Sequence, residues 1–327
     1  MKSGFLFILL FSVTISVSAQ KVYKQSLILM GSGFEIIVVS EDSAKAHHYI
    51  DIAVEEITRI EKMISSWDER SQTSEINRYA GVKPVKVDLE LFLLIERAIS
   101  ISKLTDGGFD ISYASMDHIW RFDGSMTHEP TSEEVMKSVS KVGYENIEID
   151  KINQTVFLKR KGMKIGFGAI GKGYAADKAK RLLINQGVES GIINASGDMN
   201  TWGRQPGGKD WQVAITNPLN KNKAFAFLPV KEGAVVTSGN YEKYVDFKGK
   251  RYSHIIDPRT GYPTAGIISV TVFAPKAELA DALATSIFVM GTEVGLDRIN
   301  QLPKVECVIV DDKGNVHTSD NIEIDER

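Results

Sequence analysis

Cysteine is almost absent from this sequence, which has only Cys307 among its 327 residues. This residue lies in the stretch VECVIV, whose apolar character predicts a buried strand. A single cysteine cannot form a disulfide within the chain, so the sequence excludes a fold that depends on internal disulfides. A buried strand position also argues against a reactive thiol as the chemical centre.

An excess of charge of either sign is absent as well. The chain has 39 lysine and arginine residues against 42 aspartate and glutamate residues, for a net charge of −3. Proteins that bind nucleic acid use a basic surface to neutralise phosphates, so we expect no nucleic-acid partner. The composition, 43% hydrophobic and 25% charged, is typical of a globular domain with a large core.

Long apolar runs are missing except at the beginning, MKSGFLFILLFSVTISVSAQK. The lysine at position 2, the apolar run from Phe5 to about Ile15 and the small residues before Gln20 are typical of a secretory signal peptide cleaved after Ala19. The alternative, a membrane anchor, needs about 20 apolar residues, and this run is shorter. We therefore expect residues 1–19 to be removed and residues 20–327 to be exported to the periplasm. No cysteine stands at the cleavage point, so we do not expect a lipoprotein; association with the inner-membrane surface is left open.

The sequence also has no internal repeat and no low-complexity linker that would divide it into domains. It has no Gly-x-Gly-x-x-Gly motif after the first strand, which argues against a dinucleotide-binding Rossmann fold. The last third of the chain is rich in predicted strands, which include KYVDF and RYSHIID. The predicted helices run from Ser43 to Ser66, from about Leu89 to Lys103, from Thr131 onward, from after Gly173 to about Asn185 and from about Ala277 to Met290. The third starts with a capping-box pattern, Ser132 or Thr131 followed by Glu134 or Glu133. This order predicts a single α+β unit with a mixed or antiparallel sheet and packed helices.

Two polar residues stand out in the otherwise apolar helix ELADALATSIFVMG. Asp281 and Thr285 are four residues apart and therefore share one helix face. A carboxylate and a hydroxyl are suitable ligands for a hard cation. Alternatively, Asp281 interacts with the helix dipole and Thr285 bonds back to a backbone carbonyl. The spacing does not decide between these interpretations.

The segment GAIGKGYAADKAKRLL joins a glycine-rich turn to a helix. Such a helix start is suited to an anion such as phosphate, and Lys172 and Lys178 can add positive charge. The segment lacks the spacing of a Walker loop, and a simple tight turn is the alternative.

Three further stretches are less specific. TDGGFDIS follows a helix and is typical of a C-terminal glycine stop, and Phe109 either contacts an aromatic ligand or belongs to the core. In NASGDMNTWG we expect a turn that contains Asp198. Trp67 follows a helix, where it provides a surface for ring stacking or covers the core.

The stretch SHIIDPRTGYPT contains His254, one of six histidines in the chain. A neutral imidazole with a pKa of about 6.5 can act as a general base; a structural histidine at a strand end is the alternative. Asp257 either orients the imidazole or holds the turn, and we favour the turn. Arg259 either pairs with Asp257 or approaches a phosphate.

The order of these blocks resembles the ApbE family of FAD:protein FMN transferases, from about Met30 to Gly291. The blocks are MGSGFEI, SSWDERSQTSEIN, TDGGFDIS, GAIGKGYAADKAKRLL, INASGDMNTWG, TSGNYEKYVDFKGKRYSHIIDPRTGYP and TVFAPKAELADALATSIFVMG. The most specific are SHIIDPRTG and ADALAT.

This resemblance implies a T-fold-like enzyme that uses Mg2+, splits FAD, attaches FMN through a phosphoester to a threonine of another protein and releases AMP. It implies that Asp281, Thr285 and the backbone carbonyl of Ala175 bind the metal, and that His254 takes the proton of the threonine hydroxyl. The implied FAD contacts are Met30, Trp67, Gly108, Phe109, Asp110, Lys172, Lys178 and Ile256.

The implied partners are flavoproteins, such as redox-pump subunits, with an Asp-x-x-Ser/Thr-Gly/Ala-Ala-Thr motif. This chain has no such motif, so we do not expect it to modify itself. It departs from some family members at Ala284, where they have a second carboxylate, and at Lys172, where they have an acid. A Mg2+-dependent FAD pyrophosphatase and a non-catalytic flavin-binding protein are the alternative functions.

Overall fold

The computed structural model describes residues 20–216, 224–230, 232–240, 244–247 and 250–322. The predicted signal peptide, residues 1–19, lies outside the described residues, as does Lys243 at the start of the predicted strand KYVDF. Among the residues that are described, no helix has the length and apolar character needed to cross a membrane.

An eight-stranded sheet forms the centre of the molecule, with the strand order β1-β2-β6-β7-β10-β13-β14-β15. Smaller sheets pair β3-β5-β4, β8-β9 and β11-β12. The strands are β1 (Lys21–Leu29), β2 (Ser32–Ser40), β3 (Val85–Lys86), β4 (Ile147–Asp150), β5 (Thr155–Leu158), β6 (Gly191–Ala195), β7 (Asp198–Trp202), β8 (Trp211–Thr216), β9 (Ala224–Val230), β10 (Gly233–Gly239), β11 (Tyr244–Phe247), β12 (Lys250–Ser253), β13 (Ile267–Ala274), β14 (Glu306–Asp311) and β15 (Val316–Thr318).

The helices are α1 (Ser43–Ile64), α2 (Gln72–Arg78), α3 (Leu89–Leu104), α4 (Ser132–Val139), α5 (Gly171–Asn185), α6 (Ala277–Met290) and α7 (Thr292–Asn300). Two short 3-10 helices span Ile111–Ser115 and Tyr144–Asn146. Each strand pairing in the described part of the large sheet is antiparallel. The predicted α+β class, with an antiparallel sheet and packed helices in one unit, is confirmed.

The main core lies between the large sheet and the helices α1, α5 and α6. Helix α5 contacts both α1 and α6, and all three contact strands of the sheet. Ile50, Ile57 and Ile60 of α1 recur at three or seven residues and are fully buried. In β2, Phe34 and Ile36 alternate with more exposed residues, as a strand with one face on the core requires. Each fully buried side chain of this kind contributes about 1.5–3 kcal/mol to stability.

A second group of buried residues, the cap cluster, lies beside the main core. It consists of Met116, Trp120, Val135, Val245, Tyr252 and Ile256. These residues bring α4, the hairpin β11-β12 and the turn after β12 together. The cap cluster therefore fixes the stretch that contains His254 against a separate small core.

Several predicted boundaries were wrong. Helix α5 begins at Gly171, not after Gly173, and β12 ends at Ser253, so His254 follows the strand. Sequence reasoning missed α2, α7 and the strand β7. The stretch NASGDMNTWG is a hairpin whose two turn residues, Ser196 (φ 58°) and Gly197 (φ 99°), both have positive φ. The Ser-Gly pair between two apolar stretches was the signal that could have found it.

Local chemistry explains the helix starts that were predicted correctly. Thr131 and Glu134 form the predicted capping box: the Thr131 hydroxyl oxygen accepts from the Glu134 N–H at 3.3 Å, and the Glu134 carboxylate accepts from the Thr131 N–H at 2.7 Å. Asp42 caps α1 through Lys45 N–H at 2.7 Å. These contacts involve neighbours in the sequence, which is why the sequence alone predicts them.

Candidate active site

A cavity of about 900 Å³ lies where the ends of many elements meet. Its wall combines the loop after α1, the segment around the first 3-10 helix, the start of α5, the β6-β7 turn, β10, the turn after β12 and the inner face of α6. Nine of the predicted site residues line it: Trp67, Gly108, Phe109, Asp110, Lys172, His254, Ile256, Asp281 and Thr285. Sequence segments more than 200 residues apart therefore form one site.

Two of the buried carboxylates that line this cavity, Asp281 and Asp198, interact with each other and with Lys172. Asp281, on α6, is only 4% exposed, and one of its oxygens accepts from the Gly173 N–H at 3.1 Å. Burial, together with the nearby charge of Asp198, raises the pKa of Asp281 to about 7. Asp198, the first residue of β7, is also buried, and burial raises its pKa although its ion pair with Lys172 opposes that effect. The positive charge of Lys172 thus acts on both carboxylates, Asp198 and Asp281.

This arrangement fits a bound divalent cation. Buried carboxylates need a compensating positive charge, and a hard cation prefers carboxylate and hydroxyl oxygens. Thr285 lines the cavity one helical turn after Asp281. Within the described ranges, no group of three or more histidine, cysteine or acidic residues could hold a metal ion. Protein side chains would therefore supply only part of the coordination, as is usual for Mg2+ bound together with phosphates.

His254 lines the same cavity, one residue beyond the end of β12. Its ring lies edge-on to that of Phe122, with 6.5 Å between the ring centroids. Two residues later, Ile256 is buried in the cap cluster and forms an isolated bridge with Pro263. The backbone around His254 is therefore fixed on both sides.

The turn that follows is held by Asp257 and Arg259. The Arg259 guanidinium donates to both carboxylate oxygens of Asp257, at 2.9 and 2.8 Å, and the Arg259 N–H donates to the same carboxylate at 2.9 Å. Asp257 thus holds the turn, the interpretation we favoured, and Arg259 pairs with it. Trp120 donates its ring N–H to the carbonyl of Gly261 at 2.9 Å, which joins this turn to the cap cluster.

Comparison with known proteins identifies the family. The model of the ApbE family matches residues 30–309. The chain belongs to the ApbE family.

Relatives and solved structures agree with this assignment. A FAD:protein FMN transferase of Klebsiella pneumoniae is 31% identical over 295 residues, which are 90% of each chain. The crystal structure of the ApbE protein of Thermotoga maritima has a TM-score of 0.83 and 32% identity, covering 92% of this chain and 97% of that one. The flavin transferase ApbE of Vibrio cholerae has a TM-score of 0.80 and 26% identity, covering 92% and 98%. The protein is thus a transferase with the ApbE fold.

Three residues that the ApbE resemblance assigned to the site do not line the cavity. Lys178 forms an ion pair with Glu90 at 2.9 Å on the other side of α5. Met30 has φ 51° in the β1-β2 turn and packs against the main core. Ala175 is fully buried within α5. Lys178 is thus paired with Glu90, and the predicted roles of Lys178, Met30 and the Ala175 carbonyl stay predictions.

The glycines at the start of α5 serve close packing. A Cβ atom at Gly173 would lie 2.2 Å from the carbonyl oxygen of Ala277, and one at Gly171 would lie 2.7 Å from the side chain of Ile64. Gly168, in contrast, lines the cavity and has no atom within 4 Å of such a position. Gly173 therefore allows α6 to approach α5 closely, and Gly171 allows the end of α1 to do so.

Phe109 and Asp110 line the cavity with largely buried side chains. Phe109 is 3% exposed and belongs to the main core, while its contact with an aromatic ligand stays a prediction. Asp110 accepts from the N–H groups of Ser112 at 2.7 Å and Tyr144 at 2.8 Å, and burial raises its pKa. Its carboxylate is occupied in holding the 3-10 helix that follows.

Trp67 differs from these because it is 85% exposed at the edge of the cavity. A ring this exposed does not cover the core, so its face is available for stacking. Ala284, where some ApbE members have a second carboxylate, is fully buried and apolar here.

Sequence reasoning did not assign Lys164 and His118 to the site, although both line the cavity. They lie in loops with no local pattern, and only the tertiary structure places them there.

Proposed function

We propose that this protein is a Mg2+-dependent FAD:protein FMN transferase that attaches FMN through a phosphoester to a threonine of an acceptor protein and releases AMP. The observation that carries this proposal is the convergence of Asp281, Asp198, Lys172, Thr285 and His254 in one cavity. The names of the relatives support the substrate and the group transferred.

The size and lining of the cavity suit FAD. Ligand pockets usually measure about 300–1,000 Å³, so about 900 Å³ leaves room for a dinucleotide. Phe109, Phe122 and Trp67 line it, and their rings can contact an isoalloxazine or adenine ring. Lys164 and Lys172 add positive charge for the pyrophosphate.

Asp281 and Thr285 would hold Mg2+, with the Ala175 carbonyl as the proposed third ligand. A cation bound there would neutralise pyrophosphate oxygens and the developing charge on the leaving AMP. The ion pair between Lys172 and Asp198 holds the Lys172 ammonium group at the cavity wall. Lys172 then lies in position to interact with a phosphate.

His254 takes the proton from the threonine hydroxyl as its oxygen attacks the phosphorus of the FMN half. A phosphorus–oxygen bond forms to threonine, and the bond between that phosphorus and the oxygen of the AMP phosphate breaks. AMP leaves with this oxygen. The Asp257–Arg259 turn and the cap cluster fix the backbone on both sides of His254, which supports its role as a positioned base.

We further propose that the mature protein acts in the periplasm on flavoproteins that carry the Asp-x-x-Ser/Thr-Gly/Ala-Ala-Thr motif. The N-terminal segment, with its apolar run and small residues before Gln20, supports export.

The test is to incubate the mature protein with FAD, Mg2+ and an acceptor protein that contains the motif. We expect mass spectrometry to find FMN on the motif threonine and chromatography to find an equal amount of AMP. An acceptor with that threonine replaced by valine is the control and should stay unmodified. Free FMN and AMP with every acceptor would instead indicate a FAD pyrophosphatase, and binding without turnover would indicate a flavin-binding protein.

A further inference from the structure

The helix that carries Asp281 and Thr285 lacks a local cap at its N-terminus. Lys276 occupies the capping position of α6 and makes no capping hydrogen bond through its side chain. The first N–H groups of a helix have no partner within the helix, so they need an acceptor from elsewhere. Helices α1, α2 and α4 obtain theirs from Asp42, Ser71 and Thr131, each next to its own helix.

Asp177 of α5 supplies the acceptor for α6. One carboxylate oxygen accepts from the Ala277 N–H at 2.9 Å, and the other accepts from the Glu278 N–H at 3.0 Å. Both oxygens therefore bond to the first turn of a helix that begins 100 residues later in the chain. A carboxylate with two such bonds fixes both the position and the rotation of that turn.

Buried groups in turn hold Asp177. The side-chain amide of Asn200, on β7, donates to the Asp177 carboxylate. The side-chain oxygen of Asn200 accepts from the Lys180 ammonium group at 2.9 Å. This ammonium group also donates to the backbone carbonyl of Thr201 at 2.9 Å. Lys180 is only 8% exposed. The carboxylate is thus held by α5 and by the sheet.

A second contact aligns the same two helices one turn further along. Gly173 of α5 donates its N–H to Asp281 at 3.1 Å, and its missing side chain lets the Ala277 carbonyl approach closely. Asp177 lies one turn after Gly173 on α5, and Ala277 one turn before Asp281 on α6. Together the two contacts set the register of α6 against α5.

We propose that Asp177 is a positioning residue for the cation site: it holds the first turn of α6 so that Asp281 and Thr285 face the cavity together. Asp177 does not line the cavity and acts only through α6. The proposal rests on the function proposed above.

The test compares Asp177→Asn with Asp311→Asn. Asp311 makes a matched control because its carboxylate also accepts from two backbone N–H groups, those of Lys313 and Asn315, but lies at the end of β14, away from the cavity. In Asp177→Asn, the new NH2 group must face an N–H donor, so one bond to α6 is lost. The unfolding midpoint of each variant is measured first.

The decisive measurements are the Mn2+ dissociation constant of the FAD-free protein, by electron paramagnetic resonance, and the Mg2+ concentration that gives half-maximal AMP release with the acceptor. We expect Asp177→Asn to raise both about tenfold, as loss of a residue that orients metal ligands usually does. At saturating Mg2+ the kcat should return to near that of the wild type. Asp311→Asn should leave both values unchanged.

A folded Asp177→Asn protein with wild-type Mn2+ affinity, or with a lower kcat that extra Mg2+ does not restore, would overturn the proposal while leaving the transferase function intact. Should that variant fail to fold, Asn200→Ser removes the amide group that donates to the Asp177 carboxylate and the oxygen that accepts from Lys180, and it should weaken Mn2+ binding; unchanged affinity would equally overturn the proposal. Wild-type transfer without any divalent cation would refute the metal in the proposed function and this role of Asp177 with it.

Discussion

At the scale of single residues, the chemistry depends on where the backbone holds His254. The histidine follows β12 directly, and the next residues are fixed by the Asp257–Arg259 pair and by the burial of Ile256. A base that takes one proton from an incoming hydroxyl has to be placed within hydrogen-bond distance of it, and a fixed backbone on both sides provides that.

Replacing His254 with alanine should strongly reduce transfer while leaving FAD binding unchanged. The expected loss in kcat is about 10²–10⁴-fold, the usual contribution of a general base. AMP release measures transfer, and flavin fluorescence measures binding. His47→Ala, an exposed position on α1, serves as the control.

Equal loss of binding and transfer would instead give His254 a structural role. His118 also lines the cavity, so a loss of transfer in His118→Ala together with activity in His254→Ala would assign the base to His118.

At the scale of elements, the site depends on how closely α5 and α6 approach. The backbone of Gly173 lies against the first turn of α6, so that any side chain there would overlap the Ala277 carbonyl. The same glycine donates to Asp281. The close packing of α5 against α6 and the orientation of the Asp281 carboxylate thus both depend on Gly173.

Gly173→Ala should therefore lower the free energy of unfolding by about 1–3 kcal/mol, the typical effect of overpacking, and also weaken metal binding. Urea unfolding followed by circular dichroism measures the first effect. Gly33→Ala, where an added Cβ has no atom within 4 Å, is the control and should change stability by less than about 0.5 kcal/mol. A Gly173→Ala protein as stable as this control would contradict the packing derived above.

At the scale of the whole molecule, a polar network on the outer side of α5 joins three helices. Glu90 at the start of α3 accepts from Arg59 of α1 at 2.8 Å and from the Tyr174 hydroxyl of α5 at 2.7 Å, and it pairs with Lys178. Burial raises the pKa of Glu90, but these three partners outweigh it and lower the pKa from 4.5 to about 2.

This shift predicts how stability depends on pH. The folded state holds Glu90 ionised, so its contribution is fully present above about pH 4.5 and is lost as the pH falls towards 2. Glu90→Gln should destabilise the protein by about 1–2 kcal/mol at pH 7, and the difference from the wild type should vanish as the pH approaches 2. Urea unfolding at several pH values measures it.

Glu148→Gln, which removes a charge from an exposed pair with Lys159, is the control and should have little effect at any pH. A difference between wild type and Glu90→Gln that stayed constant from pH 7 to pH 2 would show that the charge of Glu90 does not contribute.

The sequence by itself determined the features that depend on neighbouring residues. The period of isoleucines in α1 and the capping box of α4 follow from local spacing and hydrogen bonds, and the apolar spacing alone located α6. The order of the family motifs also located most of the cavity wall.

Only the tertiary structure decided which of these residues meet. Lys172 and Lys178 are six residues apart on one helix, yet Lys172 faces the cavity and Lys178 pairs with Glu90, because α5 has different neighbours on its two sides. The spacing of Asp281 and Thr285 left their role open, and only the tertiary structure places both in one cavity with Asp198 and Lys172. Likewise Asp177 gave no signal in the sequence, because its partners on α6 lie 100 residues away and meet it only when the two helices pack.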